Sequence, residues 1–221
     1  MASCHNHLVS RHTFIPTIAL IGGIGSGKSA VANKVKSFRP VMIIDADRIG
    51  HEVLDFPEIQ EKIREQFGSA VFNDQGNVDR SELARLVFGE SKLQQTSLKQ
   101  LESIVHPVIH RRLEQEIESA RSLHQVDAIL VDAAVIVEAG WKELCDQIVY
   151  IDCPFEQRQK RVTQNRGWSE TELTKREKHQ LPLSEKRKLA DGVIQNAQDL
   201  ESAGLELSKF IDSIRKQITK N

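Results

Sequence analysis

At 221 residues the chain is long enough for one sizeable α/β core with room for an inserted helical subdomain. Its formal net charge of −1 carries no general attraction to nucleic acid or to an anionic membrane, so charge-dependent binding rests on local clusters. No run of about 18 apolar residues is present, which argues against a membrane span, and three widely spaced cysteines, Cys4, Cys145 and Cys153, suit a reducing cytoplasm better than a disulfide framework.

Residues 1–16 lack the apolar segment of a secretory signal and read as a terminal tail with Cys4, His5, His7, Arg11 and His12. Cys4-His5-x-His7 holds metal-ligating residue types, although a plain tail is the simpler expectation. Thr17 to Ile21 then reads as a buried parallel strand that breaks into Gly22-x-x-x-x-Gly27-Lys28-Ser29. This spacing is a P-loop. Glycines without a Cβ let the backbone turn successive N–H groups toward phosphate oxygens, and a helix opening at Lys28 adds the positive end of its dipole. Gly23, Ile24, Gly25, Ser26, Gly27, Lys28, Ser29 and Ala30 are therefore the expected nucleotide cradle for ATP. Lys28 is suited to reach the β- and γ-phosphates and the Ser29 hydroxyl to ligate Mg²⁺. Ala30, Val31, Val35 and Phe38 recur at helical spacing, which supplies the helix the motif requires.

Arg39-Pro40 closes that helix, and Val41 to Ile44 is a second continuous apolar run, the sign of a strand covered on both faces. It ends in Asp45-Ala46-Asp47, at the carboxyl end where open parallel sheets place their ligands. Asp47 can orient or deprotonate an attacking hydroxyl and help hold magnesium through water. It can also cap a helix from Arg48 to Leu54, and one aspartate can do both.

From 57 to 124 the apolar residues keep a helical period, interrupted by the turn signal Asn73-Asp74-Gln75-Gly76-Asn77. So long a helical stretch between strands exceeds a crossover helix and predicts a substrate-side subdomain. His106-Pro107 reads as the start of a new helix, with proline where no amide partner is needed. His106, His110 and Arg111 either line an anionic pocket or belong to solvated faces. Ala128 to Asp132 is a third strand ending in an acid, as a Walker B strand does, so Asp132 can reach magnesium. Glu138 follows in the strand-end loop, with Trp141 placed to pack beneath it, and Ile148 to Asp152 is a fourth strand closed by Pro154.

Between Glu156 and Lys188 the chain becomes strongly cationic, with acids interleaved. A helical pair here can close over the phosphates as a lid, in which Arg161 or Arg166 neutralises the transferring group, or form a solvated charged surface. Asp191 to Ile194 fits a short fifth strand, and Leu200 to Ile218 a closing amphipathic helix.

Five segments, in this order and spacing, resemble the dephospho-CoA kinase family: Gly22 to Ser29, Asp45 to Ile49, Leu101 to Ile109, Gln157 to Arg166, and Ala190 to Asn196. The resemblance runs from about Pro16 onward. It implies an α/β P-loop kinase fold with a five-stranded parallel sheet flanked by helices, a helical acceptor-binding (CoA) subdomain and a helical lid. The implied divisions are a tail at 1–16, a nucleotide-binding core at 17–56, 125–154 and 189–221, the acceptor subdomain at 57–124 and the lid at 155–188. It further implies ATP as donor with Mg²⁺, and the ribose 3′-hydroxyl of dephospho-coenzyme A as acceptor in coenzyme A biosynthesis. Lys28, Asp47, Arg161 and Arg166 then form the catalytic set, Asp47 being in the position of the base. Asp47, His106 and Glu138 meet the acceptor, and Ser29 and Asp132 hold the metal. A cytoplasmic monomer or small homo-oligomer is expected, without nucleic-acid or membrane partners. Three departures stand out. Ala134-Val135-Ile136-Val137-Glu138 replaces a usual Pro-Leu-Leu-Phe-Glu, Ala30 replaces a frequent threonine, and Arg161 and Arg166 lie one residue further apart than usual. Other P-loop kinases phosphorylate nucleoside monophosphates or small alcohols, and nucleotide switches share the loop. No Asn-Lys-x-Asp guanine motif is present, although Asn33-Lys34 begins like one.

Overall fold

The computed structural model describes residues 14–197 and 199–218; the tail with its Cys4-His5-x-His7 lies outside them. Strands β1 (Thr17–Ile21), β2 (Val41–Asp45), β3 (Ala128–Asp132), β4 (Gln147–Asp152) and β5 (Gly192–Gln195) form one sheet in the order β2-β3-β1-β4-β5, every neighbouring pair parallel. Alternation along the strands divides the interior into two layers. Ala19, Ile21, Ile129 and Val131 face one core, and Ile18, Leu20, Ala128 and Leu130 the other.

On the second face lie α1 (Lys28–Lys36) and the C-terminal helix, whose Ala203, Leu207 and Ile211 pack beside Val31 and Val35. The first face is covered by α2 (Ala46–Val53), α3 (Pro57–Phe67), α4 (Arg80–Val87) and α5 (Lys92–Leu123). The core of these helices is continuous with that of the sheet, running from Ala19 and Val131 through Ile49 to Ile59, Ile63 and Leu83. Beyond β4 come α6 (Phe155–Arg166), α7 (Glu170–Glu177) and α8 (Leu183–Lys188), so the cationic segment is three helices where the sequence suggested a pair. The last helix, α9 (Leu200–Ile218), has the expected bounds.

Three local expectations are corrected. First, β2 is an edge strand: only Val41 and Ile44 are buried, and Met42 is 39% exposed, because no strand of the described residues lies beyond it. Second, the cap of α2 is Asp45, which accepts from the Arg48 amide at 2.9 Å, so Asp47 lies in the first turn with no capping duty. Third, α5 runs through His106-Pro107 without a break for 32 residues, about 48 Å. An internal proline costs roughly 3 kcal/mol. The stripe Val105, Ile109, Leu113 and Ile117, buried on both sides of it, contributes about 1.5–3 kcal/mol per side chain and outweighs that cost. The turn at Asn73 to Asn77 forms as expected, with the Asn73 amide donating to the Asn77 carbonyl and a bridge between Phe72 and Val78.

Candidate active site

The loop between β1 and α1 has the geometry its sequence demands. Gly22, Gly25 and Gly27 adopt φ of 153°, 78° and 88°, a region side-chained residues avoid. At Gly22 a Cβ would also come within 2.7 Å of the Ile151 carbonyl, and at Gly27 one would strike the Asn196 side chain. Asn196 Nδ2 donates to the Ser26 carbonyl at 2.7 Å and tethers the loop to the end of β5. Gly27 brings no side chain to the first amides of α1, which leaves them to an anion. The Ile24 amide is already engaged, donating to Glu177 Oε1 at 3.2 Å.

Three strand ends meet at this loop. Register sets Leu20 beside Asp132 and Asp132 beside Asp45, so P-loop and acids share one edge of the sheet. Lys28, Asp47 and Asp132 lie close enough to act on one another electrostatically. Burial holds the Lys28 ammonium below its ordinary pKa, and Lys186 and Arg166 push the same way, against the attraction of Asp132 and Asp47. Asp47 is exposed, yet desolvation by the surrounding protein raises its carboxyl pKa, opposed by Lys28 and His51 and helped by Asp132 and Asp45.

The two candidate lid arginines occupy different surroundings. Arg161 spends its guanidinium on the backbone: Nη1 donates to Ser26 O at 3.2 Å and Nη2 to Asn196 O at 3.2 Å. Arg166 is exposed, faces the Trp168 ring at 4.9 Å, and is near enough to Lys28 to repel its charge. A third arginine, Arg158, is 4% exposed, ion-paired with Glu177, and donates to the carbonyls of Ile24 at 3.3 Å and Cys153 at 3.2 Å. Together Arg158 and Glu177 grip both polar groups of Ile24. In the sequence nothing marks Arg158, Glu177 or Lys186 apart from the charged run between Glu156 and Lys188 in which they lie.

Glu138 lies in the loop after β3, where its Oε1 pairs with Lys186 at 2.8 Å and accepts from the Leu181 amide at 3.0 Å. Ala134, standing where the family resemblance expects proline, offers its carbonyl to the same lysine at 2.9 Å. Trp141 is buried edge-on against the His106 ring, centroids 5.1 Å apart, and against His110 at 6.2 Å. Burial lowers the His106 pKa against the pull of Glu102, which favours the neutral ring. His110 lies 3.4 Å from Glu143, and Arg111 is exposed.

Among the described residues no group of three or more His, Cys, Asp or Glu is placed to hold a metal unaided. The donor set at the P-loop suits magnesium nonetheless, since that ion keeps waters and takes one or two protein oxygens together with substrate phosphates. The described residues include no helix long and apolar enough to cross a membrane.

A parallel sheet with strand–P-loop–helix, acids level at adjacent strand ends, and arginine-bearing helices beyond β4 define a P-loop phosphotransferase. The fold matches that of shikimate kinase from Acinetobacter baumannii, TM-score 0.52 at 17% identity, over 91% of this chain and 95% of that one. A sequence model of dephospho-CoA kinase matches residues 16–202. The dephospho-CoA kinase of Carboxydothermus hydrogenoformans is 36% identical over 190 residues, 85% of this chain and 89% of that protein. The structure of dephospho-CoA kinase from Campylobacter jejuni superposes with a TM-score of 0.66 at 25% identity, over 91% and 98% of the two chains. The chain belongs to the dephospho-CoA kinase family, whose members use ATP to convert dephospho-coenzyme A into coenzyme A.

Proposed function

We propose that this chain transfers the γ-phosphoryl group of ATP to the ribose 3′-hydroxyl of dephospho-coenzyme A through the residues gathered at the P-loop. The observation that carries this reading is the convergence of Lys28, Asp47 and Asp132 at the ends of three adjacent strands, beside the first amides of α1, which no side chain caps. Lys28 neutralises the β- and γ-phosphates, the amides of Gly25 and of Gly27 to Ala30 cradle them, and Arg166 closes from the lid. Arg161 and the Arg158–Glu177 pair brace the loop from behind. Ser29 and Asp132 would hold Mg²⁺, which when bound offsets charge on the transferring group. Asp47 aligns the acceptor hydroxyl; Glu138 and His106 contact the acceptor from the 57–124 helices and the loop after β3. The 155–188 helices act as the lid. The cytoplasm suits an enzyme with a buried free thiol at Cys153 and a half-buried one at Cys145. Incubation with ATP·Mg²⁺ and a panel of acceptors, including nucleoside monophosphates, tests the assignment: only dephospho-coenzyme A should be turned over efficiently. Efficient phosphorylation of another acceptor with none of dephospho-coenzyme A would overturn it.

Asp47 also predicts a pH dependence. A carboxyl whose pKa is raised ionises later as pH rises, so the acid limb of kcat/KM should lie above the position an ordinary aspartate would give it. Asp47→Asn should lower the plateau and remove that limb. A limb unchanged in the variant would assign it to another group.

A further inference from the structure

We infer that Lys186 is a positioning residue for the acceptor, acting through Glu138 and tying the lid to the loop after β3. It is the bulkiest fully buried side chain among the described residues, 0% exposed, although it stands in a run of charged residues on a six-residue helix. An ammonium in such a place needs all its donors matched. They are: Nζ lies 2.9 Å from the Ala134 carbonyl, 2.9 Å from Gln180 Oε1 and 2.8 Å from Glu138 Oε1.

Two of those partners belong to the loop after β3 and one to the segment leading into α8, so a single charge joins two parts of the chain. Glu138 returns the connection by accepting from the Leu181 amide at 3.0 Å. The loop so fixed runs from Asp132, at the P-loop, to Trp141, beneath His106. Lys186 is also close enough to Lys28 for the two charges to repel. A clamp of this kind sets where Glu138 stands relative to both substrates.

The clamp leaves Glu138 incomplete. Its Oε2 is buried and has no donor among the described residues, whereas Oε1 has two. A buried carboxylate oxygen short of a donor is costly, and a hydroxyl of the incoming acceptor supplies that donor once loop and lid adjust around it. Were Lys186 retained for stability alone, a well-packed apolar side chain paired with a neutral partner would serve as well or better. Positioning the carboxylate gives the charge a purpose that an apolar side chain lacks.

The inference rests on the reading that Glu138 contacts the acceptor, and the test separates the two. Initial-rate KM values for dephospho-coenzyme A and ATP, with thermal midpoints, are measured for wild type, Glu138→Gln, Lys186→Met and the double variant. Each single change should raise the acceptor KM about tenfold and leave the ATP KM within about twofold. The double should be no worse than the worse single, since both act on one contact. It should also regain stability lost in Lys186→Met, because no buried charge is then left unpaired. A raised acceptor KM in Glu138→Gln with a wild-type value in Lys186→Met, or losses that multiply in the double, would make Lys186 structural only. An unchanged acceptor KM in Glu138→Gln removes Glu138 from the acceptor site and this inference with it. Should Lys186→Met fail to fold, Gln180→Leu loosens the lysine while keeping the ion pair. It should raise the acceptor KM about threefold, and no change would overturn the inference.

Discussion

Lys28→Ala should lower kcat by about a thousandfold or more without lowering the thermal midpoint. The residue opens α1, with the β1–α1 loop behind it and Asp132 and Asp47 beside it. Phosphoryl transfer is achieved mainly by positioning and charge neutralisation, so losing the charge proposed to meet the γ-phosphate should fall on the transition state more than on ground-state binding. ATP affinity should therefore weaken much less than turnover. The stability claim follows from linkage. Lys28 binds its proton less tightly folded than unfolded, so its charge opposes folding where it stands, and removing it relieves that opposition. Asp47→Asn should cost no more turnover than Lys28→Ala, because a loose transition state gains little from early proton removal. Stopped-flow or single-turnover rates with calorimetric midpoints check both halves. A Lys28→Ala enzyme with near-normal kcat would remove the lysine from the catalytic set.

The parts of this site that could be read from sequence are those encoded locally. The strand, glycine turn and helix from Thr17 to Lys36 carry their own signals, as do the acid that ends β3 and the Asn73 to Asn77 turn. What escaped depends on residues distant in the chain. Arg158 meets Ile24 across 134 positions and Lys186 meets Ala134 across 52, and neither differs in type from the solvated cations around it. Burial of a charge is decided by whether tertiary partners saturate it, which local composition does not record. The same holds for β2: an apolar run predicts a strand, but strand order decides that it lies at an edge. Pro107 shows the converse, a strong local signal overridden by a stripe of buried aliphatic residues on α5.

Arg166→Ala should lower kcat by about three orders of magnitude while leaving the fold intact, whereas Arg161→Ala should act chiefly on stability and ATP binding. Sequence alone leaves these two arginines equivalent, and their surroundings part them. Arg161 donates to the carbonyls of Ser26 and Asn196, so its charge is committed to holding the loop that holds the phosphates. Truncating it removes one of two ties between the P-loop and the end of β5, leaving the Asn196 side chain on the Ser26 carbonyl as the other. The ATP KM should then rise by about tenfold and the thermal midpoint should fall. Arg166 ends α6 on the exposed side, stacked on Trp168, which also carries Arg176 at 4.1 Å. A cation resting on an aromatic face loses only about 0.5–1 kcal/mol on leaving an exposed site. An arginine at a phosphoryl group in the transition state is worth about 10³ or more in rate, about 4 kcal/mol. The stacking on Trp168 is small beside that gain, so it does not oppose the proposed contact of Arg166 with the γ-phosphate in the transition state. Comparing kcat, ATP KM and thermal midpoint for the two alanine variants separates the roles. If Arg161→Ala lost the larger share of kcat with an unchanged midpoint, the assignment would be reversed.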